Sequence, residues 1–244
     1  MASPGSEHPP VSDDATSFNA RRESMIAQQI SARGVRDPLV LAAMRRVPRE
    51  AFLPERTRDL AYDDSPLPIG CGQTISQPYI VAAMVEALQL KGGEHVLEIG
   101  AGSGYAAAVL AAIAGDVVTV ERIGALADKA AAALASLGLR NVQVHQGDGS
   151  RGWPEGAPYE AIVVAAGGPQ VPESLKAQLA IGGRLVMPVG SDQQAQRLVR
   201  LTRTGDRDFR FEHLSDVRFV PLIGDEGWTA SDLDQDVPAG TEST

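Results

Sequence analysis

From residue 95 onward the apolar positions fall into short blocks separated by amphipathic stretches. HVLEI (95–99) reads as a strand, followed by a glycine loop and an Ala-rich helix over 105–114. VVTVE (117–121) is a second strand. Residues 124–137 place Leu126, Ala130, Leu134 and Leu137 on one helical face, with Gly138 as the stop. VQVH (142–145) and YEAIVVAA (159–166) are the next strands. VPESLKAQL (171–179) is a short helix with Pro172 in its first turn, and GRLVMPVG (183–190) is a fifth strand. QRLVRLTRT (196–204) and FRFEHLSDVRFVPL (209–222) alternate with period two and predict a closing antiparallel pair. Strand and helix alternating four times predicts an α/β fold, a doubly wound parallel sheet with an antiparallel ending.

The first third follows other rules. Residues 19–54 have a helical pattern, with Asp37-Pro38 as cap and first turn before LVLAAMRRV, and Pro48 and Pro54 as punctuation. Residues 62–78 show no period and carry Pro66, Pro68, Gly70, Gly72 and Pro78, so an ordered loop or lid is expected there. Ser76 is placed to cap a helix starting near Pro78 and running through YIVAAMVEALQL. Residues 1–17 and 229–244 are polar, acidic and Pro-containing, and disorder is expected for both.

The candidate chemistry begins in LEIGAGSGY (97–105). Three glycines in five positions, Gly100, Gly102 and Gly104, suit a backbone that turns sharply against a ligand. A dinucleotide loop wants a small residue where Tyr105 stands, which disfavours that reading. Glu98, two residues before the first glycine, can face an ammonium group. Glu121, at the end of the second strand, can accept both hydroxyls of a ribose. Asp148, after the third strand, can meet an adenine amino group. One acid at each of three successive strands fits S-adenosylmethionine, although helix caps or solvated turns would account for the same acids.

Bulk properties narrow the classes. Apolar residues make up 43% of the 244 residues, enough for a core. No run approaches the ~18 apolar residues of a membrane span, and MASPGSEHPPVSDDATS has no secretory pattern. A single cysteine, Cys71, excludes an internal disulfide and suits a cytoplasmic setting. A net charge of -9 counts against a nucleic-acid partner, whose phosphates call for Lys and Arg. No metal site and no membrane partner is expected.

GCGQTISQPYIVA (70–82), together with LEIGAGSGY, NVQVHQGDGSRGWPE (141–155) and VRFVPLIGDEGW (217–228), resembles the protein-L-isoaspartate (D-aspartate) O-methyltransferases. The resemblance covers about Met25 to Trp228. It implies a Rossmann-like methyltransferase domain over 18–228, with a helical part and active-site loop in 18–90 and a cofactor sheet in 91–228. It also implies methyl transfer from S-adenosylmethionine to the α-carboxylate of L-isoaspartyl or D-aspartyl residues in damaged proteins, and a monomer. The family's active-site serine falls on Ser76. Thr74, Ile75 and Ser76 then lie between cofactor and substrate, and Val220, Pro221 and Leu222 lie beside the substrate peptide. Cofactor contacts extend over Glu98, Gly100, Ala101, Gly102, Ser103, Glu121, Arg122, Asp148 and Gly149. The segment Val164–Gly168 departs from the family's usual Ala run, and Cys71 stands where some relatives carry an acid or glutamine.

The chemistry is coherent without a general base. His8, His95, His145 and His213 lie outside both the glycine loop and residues 70–78. A carboxylate of pKa about 4 is already ionised at neutral pH and attacks a methyl group once it is aimed. Three alternatives share these features: a relative acting on normal aspartate, a non-catalytic cofactor binder, and an RNA methyltransferase, the last opposed by the charge.

Overall fold

The computed structural model describes residues 13–229 except 192–194, together with residue 232. The chain enters on α1, Asp13–Met25, continues through a π turn, Ile26–Ile30, and a 3-10 turn, Ser31–Arg33, and stops at Gly34 with φ 101°. The helix starts inside the stretch expected to be disordered. The rest of the two expected tails, residues 1–12 and 230–244 apart from 232, lies outside the described residues.

Helix α2, Pro38–Arg46, opens as expected, with the Asp37 carboxylate accepting from the N–H groups of Leu39 (2.8 Å) and Val40 (3.4 Å). The 62–78 segment is more ordered than its composition implies. It holds a hairpin of β1, Leu67–Gly70, and β2, Gln73–Ile75, turning through Cys71 and Gly72 at φ 52° and 70°. Strands this short show no period, and their prolines and glycines read as loop. Helix α3, Pro78–Leu88, is preceded by Gln77, and no side chain caps it. The cap expected at Ser76 is therefore absent; Pro78, lacking an N–H, removes one of the orphan donors a cap would serve.

The main sheet comprises β3 (His95–Ile99), β4 (Asp116–Glu121), β5 (Val142–Gln146), β6 (Tyr159–Val164), β7 (Leu179–Val189), β8 (Gln196–Arg203) and β9 (Phe209–Val217), in the order β5-β4-β3-β6-β7-β8-β9. The pairs from β5 to β7 are parallel, and β8 and β9 add antiparallel. Helices α4 (Tyr105–Ala111), α5 (Gly124–Ser136) and α6 (Glu173–Gln178) make the crossovers. This is the expected α/β arrangement, and its strand order reverses between β3 and β6, where such sheets open a crevice beyond their carboxyl ends.

Both faces of the sheet are covered. Val96, Val117, Ala161 and Val163 pack with α2, α3, α4 and α5 on one side, while Leu97, Ile99, Val118, Ile162 and Val164 pack with Leu175 of α6 on the other. The strands are therefore apolar on both faces, as parallel sheets require. Each fully buried Leu, Ile or Val contributes roughly 1.5–3 kcal/mol, and that core holds the loop ends of the crevice in place. The chain after β9 does not extend the strand to Leu222 as expected. It crosses back over the sheet, where Gly167 N donates to Val220 O (2.8 Å) and Leu222 N to Gly167 O (2.7 Å). Among the described residues no helix is long and apolar enough to cross a membrane.

Candidate functional site

The crevice between β3 and β6 opens into an inner cleft of about 1170 Å³ including its mouth. Its floor is the turn after β3. Gly100, at φ 91°, donates its N–H to Val120 O of the neighbouring strand (2.8 Å), which presses the loop onto the sheet end. Gly104 is at φ 88°, and a Cβ there would sit 3.3 Å from the backbone of Ala130 in α5. Tyr105 then starts α4 with its ring fully buried and edge-on to Phe52, 5.7 Å between centroids. The residue that spoils a dinucleotide loop thus packs beneath the N-terminal helices.

Two of the three strand-end acids face this cleft. Glu121 accepts from Gly102 N and Ile123 N, both at 2.9 Å, so each carboxylate oxygen keeps a lone pair for a further donor. Glu98 is wholly buried. One oxygen accepts from the Thr119 hydroxyl at 2.6 Å, and the other, Oε1, is buried with no partner among the described residues. Burial pushes this carboxyl up to about 8; the Thr119 bond opposes the shift and the nearby Glu121 charge adds to it. A buried acceptor left unpaired carries a desolvation cost of ~1–3 kcal/mol, so the geometry calls for a cationic or neutral donor in the cleft. An amino acid ammonium at Glu98 and a ribose at Glu121 match these acceptors, and S-adenosylmethionine carries both.

The cleft's outer wall comes from distant parts of the chain. The β1–β2 hairpin brings Thr74, Ile75 and Ser76, and the crossing segment after β9 brings Phe219 to Ile223. A second, outer groove runs along Arg33, Gln77, Ile80, Val217 and Arg218. The two depressions share a wall made of Thr74, Ser76, Ala165, Phe219, Val220 and Pro221. Ser76 is half-buried, and its hydroxyl has no partner among the described residues. The crossing segment is pinned by Trp228, whose Nε1 donates to Gly167 O at 2.9 Å, so this tryptophan packs and anchors the chain.

Of the residues expected at the site, Thr74, Ile75, Ser76, Glu98, Gly100, Ala101, Gly102, Ser103, Glu121, Arg122, Gly149, Val220, Pro221 and Leu222 all line the inner cleft. Asp148 does not. Its Oδ1 accepts from Ser150 N and Ser150 Oγ, capping the turn Gly149–Arg151, and its Oδ2 accepts from Asp225 N at 2.8 Å. The carboxylate thus caps a turn whose next residue, Gly149, lines the cleft. Ala165, Phe219, Ile123 and the α3 residues Val81, Met84 and Val85 also line the cleft and were missed. Ala165 follows β6 at the switch point, and the spacing of the three α3 residues marks one helical face, so both signals were present. No histidine among the described residues lines either depression.

Known proteins match this chain over most of its length. The family model for protein-L-isoaspartate(D-aspartate) O-methyltransferase matches residues 20–227. A protein-L-isoaspartate O-methyltransferase 1 from Rhodopseudomonas palustris is 83% identical over 230 residues, 94% of each chain. A protein-L-isoaspartate O-methyltransferase 2 from Pelobacter propionicus is 61% identical over 85% of this chain and 92% of its own. A solved protein-L-isoaspartate O-methyltransferase superposes with TM-score 0.77 at 32% identity, covering 84% of this chain and 67% of that one. A Plasmodium falciparum chain assigned to the same enzymes and solved with S-adenosyl-L-homocysteine shares the fold, with TM-score 0.70 at 24% identity over 84% of this chain and 98% of its own. With nearly all of its folded part matched by the family model, and with relatives this similar over most of its length, the chain belongs to the protein-L-isoaspartate(D-aspartate) O-methyltransferase family.

Proposed function

We propose that the inner cleft binds S-adenosylmethionine, that the outer groove takes the segment of a damaged protein carrying an L-isoaspartyl or D-aspartyl residue, and that the two meet at Ser76. When bound, S-adenosylmethionine supplies a methyl group made electrophilic by its sulfonium. The observation that carries the reading is the wall of Thr74, Ser76, Ala165, Phe219, Val220 and Pro221 that the cleft and the groove share.

The protein's part is binding, aiming and drying. Glu98 Oε1 receives the ammonium end and is thereby held ionised, while Glu121 receives the ribose with its free lone pairs. Gly149, presented by the turn that Asp148 caps, shapes the adenine end. The substrate carboxylate arrives ionised and needs no base. Ser76 Oγ would donate to one of its oxygens and leave the other free to face the cleft, where the bound sulfonium would supply the methyl group and leave as the demethylated thioether. Ile75, Phe219 and the Val220–Leu222 segment exclude water from the junction, which strengthens each polar contact there. Alignment of this kind is worth several kcal/mol of barrier. The adjoining backbone amide nitrogen then attacks the ester carbonyl, methanol leaves, and hydrolysis of the resulting succinimide returns part of the material to aspartate. The enzyme acts as a cytoplasmic monomer with S-adenosylmethionine as its cofactor.

The test is transfer of a labelled methyl group from S-adenosylmethionine to paired peptides. Rapid labelling of the isoaspartyl peptide, with little on its aspartyl counterpart, is the expected result. Equal labelling of the two, or none, overturns the assignment.

A further inference from the structure

Arg49 is fully buried, in the short turn after α2, and the chemistry above does not use it. Its Nε donates to Ala61 O and its Nη2 to Ser76 O, both at 2.7 Å. The guanidinium carbon stands 4.8 Å from the centre of the Tyr105 ring. Nη1 is buried with no partner among the described residues. Among the described residues no carboxylate is paired with this cation. The neighbouring Glu50 is engaged by Arg22, at 3.0 Å, and by the Tyr62 hydroxyl.

A buried charge without a counterion is unfavourable, so packing alone would select an apolar residue here. The two carbonyls explain its presence. Ala61 and Ser76 bracket residues 62–75, the segment that contains the β1–β2 hairpin. One planar fork therefore ties the start of that segment to its end and closes the loop at its base. Lysine, a point charge on a flexible stem, does not reproduce two bonds in fixed directions. The Ser76 hydroxyl has no partner of its own among the described residues, so its direction follows from its backbone, and Arg49 holds that backbone at the carbonyl.

We infer that Arg49 is a positioning residue that staples both ends of the active-site hairpin and so aims the Ser76 hydroxyl into the junction of the two depressions. The inference rests on the role given to Ser76 above. It carries no bond to cofactor or substrate.

The experiment is a double-mutant cycle with Arg49→Lys, Ser76→Ala and the pair, read as kcat and KM on an isoaspartyl peptide, binding of S-adenosyl-L-homocysteine, and melting temperature. Arg49→Lys is expected to lower kcat about ten- to a hundredfold, the usual effect of a reacting group displaced by an ångström. Product binding should change less than about twofold. In the Ser76→Ala background the same substitution should cost less than about twofold, because the group it aims is gone. Effects that multiply in the double variant overturn the inference, as does a destabilised Arg49→Lys with normal kcat. Arg49→Gln, which keeps one amide donor and removes the buried charge, replaces the lysine variant if that does not fold. Failure of both to fold makes Arg49 a residue of the fold and also overturns it. An inactive wild type would instead refute the proposed function, so the two failures are distinguishable.

Discussion

The inner cleft and the junction wall lie within the same site but are built in opposite ways. The inner cleft stands on strand ends. Glu98 lies within β3, Glu121 ends β4, and the glycine loop follows β3 directly, so each group is placed by a buried parallel sheet. The junction wall has no such base. Ser76 follows a hairpin with strands of four and three residues, and Val220 belongs to a segment held by two backbone bonds to Gly167 and by Trp228. In the proposed reading, binding falls to strand ends and alignment to short segments tied down by a few long-range bonds. A substitution in the first region should act on cofactor affinity, and one in the second on turnover.

The largest expected effect is at Glu98. Its ligand-free carboxyl is pushed up to about 8, and an ammonium partner requires the ionised form. Binding therefore releases a proton below pH 8, and affinity for S-adenosyl-L-homocysteine should fall about fivefold from pH 8 to pH 7 and about 50-fold from pH 8 to pH 6. Glu98→Gln should bind weakly and lose this slope. The sign for stability is opposite. A folded pKa raised above the unfolded value means that the ligand-free protein holds a proton the unfolded chain has lost, so its stability falls as pH climbs from about 5 to 8. Glu98→Gln should remove that decline. Titration calorimetry and melting curves across this range check both.

Next comes Ser76→Ala, which should reduce turnover about ten- to a hundredfold, the cost of one hydrogen bond to a charged group. Cofactor affinity and melting temperature should stay nearly unchanged, because the side chain caps nothing. A destabilised but fully active variant would remove Ser76 from the chemistry and erase the contrast between the regions. The smallest effect is expected for Trp228→Phe. It loses the bond to Gly167 O, worth about 1 kcal/mol, and loosens the crossing segment. KM for the peptide should rise about fivefold with cofactor binding intact, as steady-state kinetics would show.

The parts legible in the primary structure share a physical character. β3, its glycine loop and α4 form one contiguous unit in which apolar periodicity and positive-φ glycines act over a few residues, and Glu98 and Glu121 follow from their places on strands. Asp148 shows the limit of that logic. Its position after β5 is evident from the strand pattern, but the bond its carboxylate accepts from Asp225 N, across 77 positions, is not. The hairpin within 62–78 has the sequence pattern of an ordered loop or lid, because two strands so short leave no period.

The linear order of residues determined the doubly wound sheet, its switch point and the acids at its strand ends, because hydrophobic alternation and glycine chemistry are local. Tertiary structure alone decided where Ser76 stands. Arg49 meets its carbonyl across 27 positions and Val220 meets Gly167 across more than 50. Single bonds between distant residues leave no periodic trace in the chain; they exist only once the core has brought their partners together.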